Sequence, residues 1–297
     1  MAKPEPRDPS SMKRIGFLRT GRLERDVFFY HLPKTAGTTL QVILGAGFRQ
    51  PDICPAHNWT ELLALDPQAA GRYKLFEGHF YGGLEQFLNR DFYTFTLLRD
   101  PIERALSHYG HVLRDSGHYL HHRAVELGSL DAYLKDPVTR LTISNFQTRL
   151  LALKADQQEI FRGLSDSQRK DWALERKLEL MELPIPDSQM LEEAQARLSQ
   201  FGFVGLTERF EESVALLCHE LGWDFPAQIS DENVNRARPK RVQIPGSALS
   251  LLTELNQLDL ELYHWAEGIF RQRLCILFSA LLKRHGQGLL PKLIKGR

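Results

Sequence analysis

Residues 28–40 read FFYHLPKTAGTTL, and how this stretch is parsed decides the fold. An apolar, aromatic run stops at Pro33. Lys34, Thr35, Ala36, Gly37, Thr38 and Thr39 follow, and an apolar run then resumes. That order predicts a short buried strand, a tight turn and a helix. Backbone N–H groups at a helix start, with the positive end of the helix dipole behind them, bind anions. Gly37 permits a tight backbone path with no side chain in the way. The threonines offer hydroxyl donors and Lys34 a point charge. The usual nucleotide loop, G-x-x-x-x-G-K-[ST], carries its lysine after the second glycine; here Lys34 comes before Gly37, so a different phosphate-like group is expected.

Working outward, strand-like and helix-like stretches alternate. DVFFYHL (26–32) reads as a buried strand ended by Pro33, and TTLQVILGAG (38–47) as a helix ending at glycine. YKLFEGHF (73–80) reads as a second strand and YTFTLLRDP (93–101) as a third. Asp100, Pro101 and Glu103 then signal a helix start with a capping box, and the helix is expected from Pro101 to about Val112. Residues 118–200 read as mostly helical and polar, with a break at LPIPDS (183–188). FGFVGLTERF (201–210) supplies a fourth short strand and turn, residues 211–222 a helix closed by Gly222, and residues 251–274 one long amphipathic helix. This pattern predicts an α/β protein, a P-loop-like three-layer fold with a central parallel sheet flanked by helices. Ligands of such sheets sit beyond the carboxyl ends of the strands, so the loops at 33–38, 77–82 and 99–101 are expected to converge on one edge. The expected layout is a poorly ordered lead-in (1–26), one domain (27–275) with residues 118–200 as a helical elaboration, and a basic tail (276–297).

A chain of 297 residues suits one large α/β domain. Its net charge of +1 provides no global field for nucleic acid, so no nucleic-acid partner is expected and any anion site is local. The three cysteines, Cys54, Cys218 and Cys275, form no C-x-x-C pair, which points to neither a disulfide framework nor a cysteine zinc site. The polar N-terminus has no apolar core of the kind a signal peptide needs. LCILFSALL (274–282) is far shorter than the roughly 20 residues of a membrane span. The basic, partly apolar end that follows is read as solvated, with contact to an anionic membrane surface as the alternative.

In TLLRDPIERALSHY (96–109), Arg99 ends a strand and Ser107 lies two turns into the next helix. An arginine there is well placed to hold a phosphate; an ordinary surface pair with Asp100 is the plainer reading. His108 and His111 are one helical turn apart in a histidine-dense region that includes residues 118, 121 and 122, but no acidic ligand is placed with them and no metal is expected.

HLPKTAGTT followed by FTLLRDPIERALSHY resembles the sulfotransferase superfamily, the first segment being similar to its 5′-phosphosulfate loop and the second to its 3′-phosphate motif. FEGHF (76–80), FGFVGLTERFEESVALL (201–217) and LNQLDLELYHWAEGIF (255–270) add further likeness, so matching pieces span roughly residues 27–270. The branch resembled is that of carbohydrate sulfotransferases of the heparan sulfate 2-O type and their bacterial relatives. The resemblance implies a donor, 3′-phosphoadenosine 5′-phosphosulfate, held at its 5′ end by Lys34, Gly37, Thr38 and Thr39 with the rest of the loop. It implies Arg99 and Ser107 at the 3′-phosphate. It implies Lys34 stabilising charge on the bridging oxygen. The acceptor implied is a carbohydrate hydroxyl, with the elaboration over 118–200 shaping its cleft.

A base is then needed for the acceptor proton, and histidine suits neutral pH. His79 follows a strand in the loop that should face the donor; Glu77 is the second candidate, and His31 is expected to be packed. The basic loop NRARPKR (235–241) would close over the donor through Arg236, Arg238 or Lys240, and NFQTRLL (145–151) is another segment that would line the site by resemblance. With no membrane anchor of the eukaryotic Golgi kind in view, a bacterial cytoplasmic enzyme is expected. Two other classes share the anion loop: a P-loop kinase or NTPase with Asp100 holding Mg²⁺, and a non-catalytic relative that binds nucleotide without turnover. Acceptor identity and oligomeric state are left open.

Overall fold

The computed structural model describes residues 25–66, 70–154, 185–226, 241 and 244–294, with side chains to residue 279. Strands β1 (Asp26–Tyr30), β2 (Leu75–Gly78), β3 (Phe92–Leu98) and β4 (Phe203–Leu206) form one parallel sheet in the order β2-β1-β3-β4. The chain steps from β1 to one side and then crosses to the other, so the topological switch lies at the carboxyl end of β1.

Val27, Phe28, Phe29 and Tyr30 are all buried, the unbroken apolar run a parallel strand needs when helices cover both faces. Phe29 pairs with Glu77 on one side and Phe95 on the other. On that face its ring stacks on Phe95 and on His31, both at 5.1 Å. Helix α1 (Gly37–Gly47) crosses this face, its first residue against His31 and its last against Trp223. The opposite face carries Phe28 and Tyr30, whose rings meet Phe80, Tyr81 and Phe201.

Short helices α2 (Trp59–Leu63) and α3 (Leu84–Leu88) flank β2. Helix α4 (Pro101–Arg114) follows β3 and runs slightly beyond the expected end. Then come α5 (His121–Leu127), α6 (Leu130–Lys135), α7 (Pro137–Arg140), α8 (Phe146–Ala152) and α9 (Asp187–Gln200). The Tyr30 hydroxyl donates to Leu150 O at 2.6 Å, and Arg197 donates to Leu151 O and Leu153 O, fastening α8 and α9 beside the sheet. A second apolar cluster, including Ile102, Leu106, Tyr109, Tyr133 and Leu252, joins α4 to α5, α6 and α11 (Gly246–Leu255). Helix α10 (Phe210–Leu221) ends at Gly222 as expected.

One element is corrected. The long helix expected over 251–274 is two, α11 and α12 (Gln257–Ile294), broken at Asn256. Asn256 is buried and its Nδ2 donates back to Leu252 O at 2.8 Å, a local bond that competes with helix continuation. Asn145 supplies the groups the break leaves over. Its N–H donates to Leu255 O, and its Oδ1 accepts from Leu258 N and Asp259 N. Among the described residues no helix is long and apolar enough to cross a membrane.

Candidate active site

The loop after β1 turns at residues other than its glycine. Lys34 (φ 72°) and Ala36 (φ 63°) take the left-handed backbone, while Thr35 between them does not. Two left-handed residues bracketing a third give a tight turn of the kind whose N–H groups can face an anion at the start of α1. Ala36 caps α1 without a side-chain bond. Gly37 also has a task the sequence did not announce. A Cβ there would lie 1.8 Å from His31 Nε2, so the glycine seats the His31 ring. Thr35 is corrected: it is fully buried and its hydroxyl donates inward to Leu32 O at 2.8 Å, bracing the turn. Thr38 is exposed and Thr39 buried.

The three loops do meet, and backbone carbonyls join them. Arg99 Nη1 donates to Lys34 O at 2.9 Å. His79 Nδ1 lies 2.8 Å from His31 O, and the Tyr81 hydroxyl donates to the same oxygen at 2.8 Å. The rings of His31 and His79 stack at 4.7 Å. His31 is therefore packed, as expected, and its packing links the β1 loop to the β2 loop. Behind it, Gly78 has no side chain because His57 O would lie 2.3 Å from a Cβ, and His79 N–H donates to that same carbonyl.

Arg99 is held from several elements. Gln147 at the start of α8 accepts from Arg99 N–H at 3.0 Å and donates to Arg99 O at 2.8 Å. Buried Asp259 on α12 in turn accepts from the N–H groups of Gln147 and Thr148 and from the Thr148 hydroxyl, capping α8 from another helix. Glu208 stands 3.9 Å from Arg99 Nε and accepts from Tyr263 at 2.7 Å. Asp100 caps α4 by accepting from Glu103 N–H at 2.9 Å. The cap's own N–H goes to Glu208 Oε1 at 3.1 Å, so a residue after β4 supplies the reciprocal bond expected of a capping box.

Cations gather on the inner side of α4. Arg104 is wholly buried, lies 4.4 Å over Phe146 and donates to Thr142 O at 2.8 Å; its Nε and Nη1 have no hydrogen bond. Burial, and after it the fields of Arg104, His118, Lys34 and His111, hold His108 well below the ordinary histidine range. Burial, then Arg114 and Arg104, push Lys34 down as well. Burial and neighbouring positive charge both disfavour the charged form of these groups, and an anion beside them would favour it. Ser107 is half-buried on the same helix. His108 and His111 each stand edge-on to His118, and among the described residues no group of three or more His, Cys, Asp or Glu is placed to hold a metal.

Glu77 sits in the interior opposite Phe29, one residue short of Gly78 at the sheet edge. Burial lifts its carboxyl to about 8, and Oε2 has no hydrogen-bond partner. Arg236, Arg238 and Lys240 lie outside the described residues. Arg241, the last residue of their segment, is described and stands 3.9 Å from Asp100.

The sequence reading did not single out Gln147, Glu208, Asp259, Tyr81 or Arg104 for this site. Gln147 and Glu208 lie inside segments quoted for their family likeness.

A model described as "Sulfotransferase family" matches residues 23–266. Among curated relatives, heparan-sulfate 6-O-sulfotransferase 2 of Danio rerio is 29% identical over 239 residues, 74% of this chain and 46% of its own. Heparan-sulfate 6-O-sulfotransferase 3 of Homo sapiens is 26% identical over 288 residues, 84% of this chain and 58% of its own. The chain thus spans about half the length of the curated relatives it matches. They belong to the carbohydrate branch expected from the motifs, with 6-O in their names where the motifs were likened to the 2-O type.

Proposed function

The chain belongs to the sulfotransferase family, and from that premise we propose that it moves a sulfuryl group from 3′-phosphoadenosine 5′-phosphosulfate to a hydroxyl of a carbohydrate. The names of the relatives support a glycan of the heparan sulfate kind as acceptor. One observation carries the reading: at the switch point of the sheet, the left-handed turn of Lys34–Ala36, the Arg99 guanidinium and the His79 imidazole are tied to one another through the carbonyls of His31 and Lys34.

The residues present fit the donor. The turn and the Lys34 ammonium would hold its 5′ end together with the N–H groups of Gly37, Thr38 and Thr39, and Arg99 with Ser107 its 3′-phosphate. When bound, the donor supplies an electrophilic sulfur on a phosphate leaving group. Lys34 opposes the negative charge that grows on the bridging oxygen. His79 takes the acceptor proton on Nε2. Glu77 suits the base role less well, because its carboxyl is enclosed in the core. Asp100, the acid a Mg²⁺-dependent kinase would need, is engaged as the α4 cap.

The test is calorimetric titration with 3′,5′-diphosphoadenosine, with and without EDTA, on wild type and Arg99→Ala, followed by transfer of labelled sulfate to a desulfated heparan. Metal-independent binding that collapses in the variant, with turnover, is expected. Mg²⁺-dependent binding of ATP and none of the diphosphate would refute the proposal; diphosphate binding without turnover on any glycan would favour a non-catalytic relative.

A further inference from the structure

We propose that Tyr81 is a positioning residue that, with the His31 carbonyl, holds His79 as its Nδ1–H tautomer and so makes Nε2 the nitrogen that takes the proton. This rests on the reading of His79 as the base. His79 Nδ1 lies 2.8 Å from His31 O and 2.6 Å from the Tyr81 hydroxyl oxygen. A carbonyl oxygen only accepts, so its closeness favours the tautomer in which Nδ1 carries the hydrogen, and the Tyr81 hydroxyl, by turning its own hydrogen to that carbonyl, completes the preference. Tyr81 donates its own hydrogen to the same carbonyl at 2.8 Å, which turns a lone pair of its oxygen toward Nδ1–H. A bare Nδ1 would instead set its lone pair against that of the carbonyl. Neutral imidazole has a single N–H, so the basic lone pair falls on Nε2.

The surroundings make this arrangement stiff. Burial holds the Tyr81 hydroxyl well above the usual tyrosine range, so it stays an O–H donor through neutral pH. Its ring packs on Tyr30 at 5.3 Å, and its carbonyl accepts from Trp59 Nε1 at 3.0 Å. The His79 ring is stacked on His31, and its backbone N–H is fastened to His57 O. In the proposed step the acceptor hydroxyl gives its proton to Nε2 while Nδ1 keeps its own. The imidazolium that results has its Nδ1–H facing two neutral oxygens.

Tyr81→Phe keeps the ring and removes only the hydroxyl. Nitrogen-15 NMR of histidine-labelled full-length chain, with the His79 signals assigned from their loss in His79→Ala, reads the tautomer without any donor or acceptor. Wild type is expected to show Nδ1 protonated and Nε2 bare at neutral pH. Tyr81→Phe is expected to move both signals toward the average of the two tautomers. Its kcat should fall about tenfold, the worth of roughly one hydrogen bond, with KM for the donor unchanged. A wild-type His79 protonated on Nε2 would overturn the proposal. So would a Tyr81→Phe variant with unmoved nitrogen signals, whether or not its kcat fell. If wild type transfers no sulfate at all, the functional reading fails, and the NMR still decides the tautomer.

Discussion

Replacing Gly37 with alanine adds a methyl group where the His31 ring already lies. The new Cβ would stand 1.8 Å from Nε2, 2.3 Å from Cδ2 and 2.4 Å from Cε1. Ordinary contact begins at 3.4 Å, so the ring would have to retreat by 3.4 − 1.8 = 1.6 Å. It is stacked between Phe29 at 5.1 Å and His79 at 4.7 Å, so retreat means disturbing the candidate base or swinging the start of α1. Overpacking of this kind costs ~1–3 kcal/mol, while alanine in place of glycine returns up to about 1 kcal/mol through the unfolded chain. The net expectation is a loss of ~1–2 kcal/mol, seen as a fall in Tm of roughly 2–8 °C for a chain of this size. Gly45→Ala is the matched control: it lies in the same helix with nothing within 4 Å, and should stabilise by about 0.5–1 kcal/mol. Thermal and urea unfolding give the two signs. Calorimetry with 3′,5′-diphosphoadenosine should show weakened binding for Gly37→Ala alone. A Gly37→Ala protein as stable as wild type, with full affinity, would refute the claim that His31 occupies that space.

Three further outcomes are expected. Gln147→Leu strips both bonds from the Arg99 backbone and leaves partly buried N–H and C=O groups unpaired, which should weaken diphosphoadenosine binding about tenfold in calorimetry; undiminished affinity would show that Arg99 holds its place without the clamp. His79→Ala should abolish sulfate transfer while diphosphoadenosine still binds, and residual turnover near the wild-type rate would remove His79 from the base role. Glu77 is lifted from 4.5 to about 8 in the folded chain, so its neutral form is fully compatible with folding below 4.5 and stability is lost as pH rises through 8. Between those values the unfolded chain releases a proton that the folded chain keeps, a slope of ~1.4 kcal/mol per pH unit. Glu77→Gln should therefore gain on wild type between about pH 5 and pH 8 in urea unfolding, and an unchanged difference at the two pH values would count against it.

By itself the sequence determined what neighbouring residues can specify. The apolar run before Pro33, the Asp100–Pro101 helix start and the Gly222 stop act through local backbone preference, and each element appears within a few residues of where its signal lies. Parallel pairing follows from the alternation of elements, and so does the meeting of the loops at one edge. Tertiary structure alone decided how the site is held. Gly37 reads as a phosphate-loop glycine, and only the structure adds that His31 lies where its Cβ would be. Thr35 reads as an anion donor until its hydroxyl is found bracing Leu32. The break at Asn256 has its partner in Asn145, and the second half of the Asp100 cap comes from Glu208. The reason is physical: the atoms joining Lys34, His79 and Arg99 are main-chain carbonyls, which every residue possesses and no side chain announces. Which carbonyl faces which donor is settled only when distant segments pack.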